Sequence, residues 1–200
     1  MRKALIFFFS SFILICSFHI KVFAYSSDPE KFIGEIINDA KLILGSSGTQ
    51  EDKAKKLSEI ALKTVDVKGL AYYTLGKKRK QISPEELKKY ENLFEKYFLK
   101  SFTSRLTDYS DPKITVLSAE KINEKYTVVK TMLLKTDKKP EVKIDWRVYT
   151  KNPDEPLIRD LIVEGLSLAR TQKEEFASVL SSNNNDINAL FLTLENFIKK

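Results

Sequence analysis

The 200-residue sequence contains only one cysteine and one histidine, and both lie close to its beginning. Cys16 and His19 belong to an opening segment with two basic residues, an apolar run over 4–20, and the small-residue pattern Val22-Phe23-Ala24. This organisation is typical of a cleavable secretory signal peptide, so the sequence predicts that residues 1–24 are removed. The alternative is an uncleaved membrane anchor, for which the apolar run is short.

Without residues 1–24 the chain has no cysteine and no histidine. This composition excludes disulfides, thiolate nucleophiles, histidine bases and metal sites built from cysteine or histidine. Glycine is also scarce, with 6 residues, and neither glycine-rich phosphate-binding motif occurs. With 31 basic and 27 acidic residues left, the net charge falls from +7 to +4. So small an excess does not indicate a nucleic-acid-binding protein.

Residues 25–200 form a single predicted domain, because they can bury a core and no linker or repeat divides them. Apolar spacings of three and four predict helices on both sides of a β-rich region. The longest helix begins at the capping box Ser83-Pro84-Glu85-Glu86 and continues to about residue 107. Capping boxes at 27–30 and 171–174 predict the first helix and the helix that follows the strands.

Four strands are predicted over 114–117, 126–135, 142–149 and 157–164. Short polar loops join them, which favours an antiparallel meander. In the third strand Val142, Ile144, Trp146 and Val148 alternate with polar residues, so one face of the sheet should be buried. The expected fold class is α+β, with amino- and carboxy-terminal helices packed on one face of a four-stranded sheet.

Three groups of residues leave alternatives open. The carboxylate of Asp145 could serve as the base of an isomerase or hydrolase, but its parity is opposite to that of Trp146, which predicts that it faces solvent. Asp160 and Glu164 could form an acid–base pair or a solvated face. The basic run Lys77–Lys80 could contact an acidic partner or lipid headgroups, or could be a solvated loop.

Several segments together resemble the MlaC family, also called the toluene-tolerance family. They are Val65-Asp66-Val67, the helix start at Ser83, the aromatic stripe Phe94–Phe102, and the run V-E-G-L-S-L over 163–168. The resemblance covers about residues 28–195. It implies an apolar cavity between sheet and helices, and a periplasmic phospholipid carrier rather than an enzyme, with no cofactor.

The resemblance also implies partners. They are the phospholipid, an inner-membrane ABC transporter complex with an MCE-domain ring, and an outer-membrane lipoprotein complex. Transfer between the two complexes would maintain the lipid asymmetry of the outer membrane. Apart from the resemblance, the small charge excess predicts no nucleic-acid partner, and the expected state is a monomer. The alternative cargo is another apolar ligand, such as a hopanoid.

The expected lipid-binding residues come from two sources. By position in family segments, the resemblance implies that Phe102, Val142 and Leu166 line the pocket. Helix and strand phase adds further residues, which are Phe98, Met132, Leu134, Ile144, Trp146 and Leu168. In the second strand the opposite parity, which contains Val129 and Leu133, is the alternative phase. Ordinary core packing is the competing explanation for each residue.

Overall fold

The computed structural model describes residues 25–107, 111–136 and 140–200. The predicted signal peptide, residues 1–24, lies outside the described residues, as do residues 108–110 and residues 137–139, which belong to a predicted hairpin loop. Within the described part, the chain forms six α-helices, one 3-10 turn and a five-stranded sheet. None of the described helices combines the length and apolar character needed to span a bilayer.

Four helices precede the sheet and two follow it. They are α1 (Pro29–Gly45), α2 (Gln50–Thr64), α3 (Val67–Leu75), α4 (Pro84–Leu106), α5 (Leu168–Ser181) and α6 (Ile187–Lys199), with a 3-10 turn at Gly76–Lys80 after α3. The capping box that predicts α4 is confirmed, because Ser83 Oγ accepts the Glu86 N–H at 3.1 Å and Glu86 Oε2 accepts the Ser83 N–H at 2.8 Å.

Two predicted helix starts are wrong. Asp28, one residue after Ser27, caps α1 by accepting the Lys31 N–H at 2.9 Å. Ser167 caps α5, where its hydroxyl accepts the Arg170 N–H at 3.1 Å, whereas Thr171 donates its hydroxyl to the Ser167 carbonyl. The helix therefore begins at the end of the sheet, four residues earlier than the predicted cap.

The predicted antiparallel meander is confirmed, but it has five strands rather than four. They are β1 (Ile114–Asn123), β2 (Tyr126–Leu133), β3 (Val142–Tyr149), β4 (Leu157–Val163) and β5 (Leu166–Ser167), and each pairs with the next. The extra strand arises because Glu164 and Gly165 both have positive φ, 50° and 81°, as in the tight turns that reverse a hairpin in two residues.

The register divides the sheet into an apolar face and a polar face, because directly paired residues point to the same side. The apolar face includes Ile114, Val116, Val129, Thr131, Leu133, Val142, Ile144, Trp146, Val148, Ile158, Leu161, Val163 and Leu166. The polar face carries Lys130, Met132, Lys143, Asp145, Arg147 and Asp160. The charged pairs on it include Lys130 with Glu120 at 2.8 Å and Arg147 with Asp160 at 3.5 Å.

Two hydrophobic clusters hold the chain together. In the sheet cluster, Phe32, Ile33, Ile36 and Ile37 of α1 pack on the apolar face. In the helical cluster, residues of α3, α4, α5 and α6 surround Tyr90 and Leu190, which are fully buried. Val65, at the end of α2, packs against both clusters.

A polar junction ties the helices to the sheet beside Val65. Asp66 caps α3 by accepting the Gly69 N–H at 2.9 Å, and its other oxygen accepts the Arg159 Nε–H at 2.6 Å. Arg159 also donates to the Tyr126 hydroxyl at 3.2 Å, and its guanidinium lies 3.5 Å from the ring centre of Tyr149. Because Arg159 sits at the irregularity in β4, the strand turns this side chain out of the ladder towards α3.

Candidate functional site

The apolar face of the sheet is covered unevenly. Near α1, the side chains of Val129 and Val148 are completely buried and that of Ile158 is 4 % exposed. Towards the other end of β3 the cover is incomplete, and Leu166 is 58 % exposed. We call this region the open end, which comprises Leu133, Val142, Ile144, Val163 and Leu166.

Polar groups at the centre of the apolar face are bonded to one another. The Thr131 hydroxyl donates to the Ile144 carbonyl at 2.9 Å and accepts the Trp146 indole N–H at 2.9 Å. Thr131 is completely buried, so these bonds replace the contacts that its hydroxyl would make with water. The indole ring therefore contributes apolar area to this surface, and its N–H is already satisfied within the domain.

The length of the apolar face suits an extended hydrocarbon chain. From Val142 to Trp146, the part of the apolar side of β3 that is only partly buried, the strand advances four residues, or about 13 Å at the usual strand rise. One leaflet of a bilayer has a hydrocarbon thickness of about 15 Å. An acyl chain laid along this part of β3 would therefore find apolar side chains over most of its length.

Helix α4 carries a second apolar surface, an aromatic ladder of Phe94, Phe98 and Phe102. Adjacent rings in the ladder are nearly parallel, at 13° and 11°, with centroids 6.3 and 5.9 Å apart. Phe94 is buried in the helical cluster, whereas Phe98 and Phe102 are only partly buried. Tyr97 beside the ladder donates its hydroxyl to Gln172 of α5 at 2.7 Å, and burial raises the pKa of Tyr97. The aromatic ladder thus begins in the buried helical cluster at Phe94 and ends at the partly buried Phe102.

The structure brings four of the predicted lipid-binding residues onto one surface, since Val142, Ile144, Trp146 and Leu166 share the apolar face. Phe98 and Phe102 lie together on the ladder of α4. Leu168 is the first residue of α5 and is partly buried.

The phase chosen for β2 is wrong by one residue. Met132 pairs with Lys143 and so lies on the polar face, and Leu134 lies beyond the end of β2 with 41 % of its surface exposed. Val129, Thr131 and Leu133 hold the positions on the apolar face. Leu133 thus belongs to the alternative parity, and Thr131 is a residue of the apolar face to which the strand pattern did not point.

Asp145 lies on the polar face, opposite to Trp146, as its parity predicts. Its carboxylate is 3.6 Å from Lys143 Nζ and is only 17 % exposed, so it is less open to solvent than expected. Within the described part of the chain, Asp145 Oδ1 is buried without a hydrogen-bond partner. The apolar face consequently does not contain the carboxylate on which the isomerase or hydrolase alternative depends.

Asp160, the other candidate acid, accepts hydrogen bonds from the first residues of α5 and from its cap. It accepts the Ser167 hydroxyl at 2.6 Å and the Ala169 N–H at 3.0 Å, and it is 4 % exposed. Its supposed partner Glu164 lies in the β4–β5 turn. Among the residues that the structure describes, no group of three or more acidic residues, cysteines or histidines is arranged to hold a metal ion.

A groove of about 620 Å³ runs between α1 and α2. It is lined by Tyr25, Glu35, Asp39, Leu42, Ile43, Lys56, Glu59, Ile60 and Lys63, and none of the predicted lipid-binding residues contributes to it. A cavity between the apolar face and the aromatic ladder stays a prediction.

The meander sheet, the helices on its apolar face and the internally bonded Thr131–Trp146 pair define a small α+β domain suited to apolar ligands. The family model described as MlaC protein matches residues 33–196, so the chain belongs to the MlaC family. A comparison with curated proteins gives no significant match.

A solved structure with the same fold is that of a phospholipid-binding protein from Ralstonia solanacearum in complex with a phospholipid. The two chains are 17 % identical and superpose with a TM-score of 0.71, over 84 % of this chain and 94 % of the other. The similarity establishes the shared fold.

Proposed function

We propose that this protein is a periplasmic phospholipid carrier whose cargo lies with its acyl chains on the open end of the apolar face. The observation that carries the proposal is a long apolar surface with its central polar groups bonded internally and one end incompletely covered. Membership in the MlaC family and the phospholipid in the related solved structure support the same conclusion.

The physical requirement on such a carrier is severe. Each methylene group that moves from a bilayer into water costs about 0.8 kcal/mol, so acyl chains must stay covered during transfer. In our proposal the sheet forms one wall and the aromatic ladder the other. The lining residues are Phe98, Phe102, Leu133, Val142, Ile144, Trp146, Val163, Leu166 and Leu168. Because this binding depends on the apolar area of the acyl chains, it should not discriminate between phospholipids with different headgroups.

The proposed route runs between an outer-membrane lipoprotein complex and an inner-membrane ABC transporter with an MCE-domain ring. Export depends on the predicted signal peptide at residues 1–24. Transfer requires the two walls to separate while the carrier is docked, because a closed cavity cannot exchange its cargo.

Native mass spectrometry of protein purified from a periplasm tests the proposal directly. We expect the mass of the chain without residues 1–24 plus one or more bound diacyl phospholipids, identified after extraction. Extraction of a polycyclic lipid would point to the hopanoid-type alternative. A protein that is folded, empty and unable to take up phospholipid would contradict the proposal.

Substitution of Leu166 by tryptophan separates a cavity from a packed core. Because Leu166 is 58 % exposed, Leu166→Trp should leave the thermal midpoint nearly unchanged but fill part of the open end, so bound lipid should decrease. Leu192 on α6 is also 58 % exposed, and Leu192→Trp is the matched control that should retain lipid. Unfolding of Leu166→Trp alone would indicate tight packing at this position instead.

A further inference from the structure

The 3-10 turn after α3 concentrates positive charge on a small surface. Lys77, Lys78, Arg79 and Lys80 follow one another in the turn; Lys78 is partly buried and the other three are exposed. Lys173 of α5 lies beside the start of this turn. A Cβ placed on Gly76, the first residue of the turn, would be 3.4 Å from Lys173 Cε. We call these five cations the basic patch.

The cations of the basic patch have no acidic partners among the residues that the structure describes. Several other surface cations are paired, for example Lys121 with Glu124 at 3.0 Å and Lys89 with Glu195 at 3.2 Å. Unpaired like charges within one turn repel one another, and their field attracts anions over about a Debye length, roughly 8 Å at physiological ionic strength.

An exposed aromatic ring lies within the basic patch. Tyr73, near the end of α3, is 44 % exposed, and Lys173 Nζ lies 4.9 Å from the centre of its ring. Tyrosine combines an apolar ring with a polar hydroxyl, and it is enriched where proteins meet the headgroup layer of a bilayer. Cations around an exposed tyrosine match the chemistry of an anionic lipid surface.

The basic patch lies a short distance from the open end. Leu166 is in the hairpin that leads into α5, which begins at Leu168. Lys173 follows five residues later, or about 8 Å along the helix axis. A surface that attracts Lys173 would therefore lie near the exposed Leu166.

We propose that the basic patch docks this protein on anionic membrane surfaces. Within the described part of the chain these side chains contact no carboxylate, and long, flexible lysines suit a fluid array of phosphate groups, which needs no fixed geometry. The proposal goes beyond cargo binding, because it concerns an outer surface and not the apolar face.

Vesicle sedimentation tests this docking surface with protein purified from the periplasm. The vesicles contain phosphatidylcholine alone or mixed with phosphatidylglycerol. We expect the protein to partition onto the mixed vesicles and to be released at about 1 M salt. A lysine near an anionic surface is worth about a fivefold change in partitioning, so Lys77→Gln with Lys80→Gln should weaken binding roughly 25-fold.

The matched control removes the same charge at another place. Lys125 and Lys151 are exposed in loops of the sheet, and the Thr150 N–H donates to the Lys125 carbonyl, which places the two loops side by side. Lys125→Gln with Lys151→Gln should bind the mixed vesicles like the unaltered protein. Equal weakening in both variants would overturn the proposal, because it would show a response to net charge alone.

Two other results would also overturn it. One is equal partitioning onto the two kinds of vesicle. The other is retention of the protein by polyglutamate through the basic patch with no vesicle binding, which would indicate an acidic protein as the partner. Native mass spectrometry of each variant reports the bound lipid separately, so failure of docking can be told from failure of the carrier function.

Discussion

Replacement of Thr131 by valine tests whether the apolar face depends on one internal hydrogen-bond pair. Valine has nearly the shape of threonine but lacks the hydroxyl, which accepts the Trp146 indole N–H and donates to the Ile144 carbonyl. Because Thr131 is completely buried, Thr131→Val would leave the indole N–H without its partner inside the domain. We expect a less stable protein with a more polar wall.

The size of the effect follows from the burial of these groups. A buried donor left without a partner costs about 1–3 kcal/mol of stability. We take this range for the whole substitution, so that it includes the loss of the hydrogen bond from Thr131 to the Ile144 carbonyl. For a domain of this size, 1 kcal/mol lowers the thermal midpoint by about 2–4 °C. The indole N–H would turn towards water at the open end, and the fluorescence of Trp146, the single tryptophan of the chain, should shift to longer wavelength.

Urea denaturation followed by circular dichroism measures the loss of stability independently of the tryptophan signal. Thr127 provides the matched control, since it lies four residues earlier on the same face of β2 and is 8 % exposed. In the described part of the structure its hydroxyl makes no side-chain hydrogen bond, so Thr127→Val should be neutral or slightly stabilising. If Thr131→Val were as stable as Thr127→Val, with an unshifted emission, the internal satisfaction of Trp146 would be refuted.

Two further predictions concern the helices. Burial raises the pKa of Tyr90, so near pH 10 the unfolded chain loses the phenol proton while the folded chain keeps it. The free energy of unfolding should therefore fall above pH 10 by up to about 1.4 kcal/mol per pH unit. The fall should be less steep in Tyr90→Phe, which lacks this proton. Urea titrations of both proteins from pH 8 to about pH 11 check the difference, and parallel curves would contradict it. In Gly69→Ala the new Cβ would fall 2.2 Å from Asp66 Oδ2, so the Asp66 carboxylate, which caps α3 and accepts the Arg159 hydrogen bond, must move. We expect the free energy of unfolding to fall by about 1–3 kcal/mol, measured by thermal unfolding. An unchanged thermal midpoint would show that the junction adapts without cost.

Local signals were sufficient to predict most elements of this fold. The cap of α4 uses two residues three apart, and the alternation in β3 is uninterrupted, so neither depends on the rest of the chain. Sequence patterns do not predict the two-residue strand β5, because Glu164 adopts positive φ, which they rarely assign to glutamate. Without that turn, the predicted cap of α5 falls at Thr171 instead of Ser167.

The sequence predicts which residues share the apolar face only where the pattern in a strand is unambiguous. In β2 both parities carry apolar residues, and Thr131 appears polar until its partners are known. The register with β3 decides the phase, and that pairing is a long-range property. A usable signal did exist, because Trp146 on a buried face needs an acceptor, and a threonine on the neighbouring strand can supply one.

The two proposals divide the work of transfer between different physical forces. In the proposed carrier, acyl chains are held by the burial of apolar area alone, so the free energy that keeps them on the apolar face is recovered when they enter another apolar environment. In water no such environment exists, and release must therefore follow contact with a membrane or a membrane complex. An electrostatic surface outside the apolar face can promote this contact without increasing the affinity for cargo, because charge acts on encounter rates over distances at which apolar contacts have no effect. A carrier built this way needs neither histidine nor cysteine at its site.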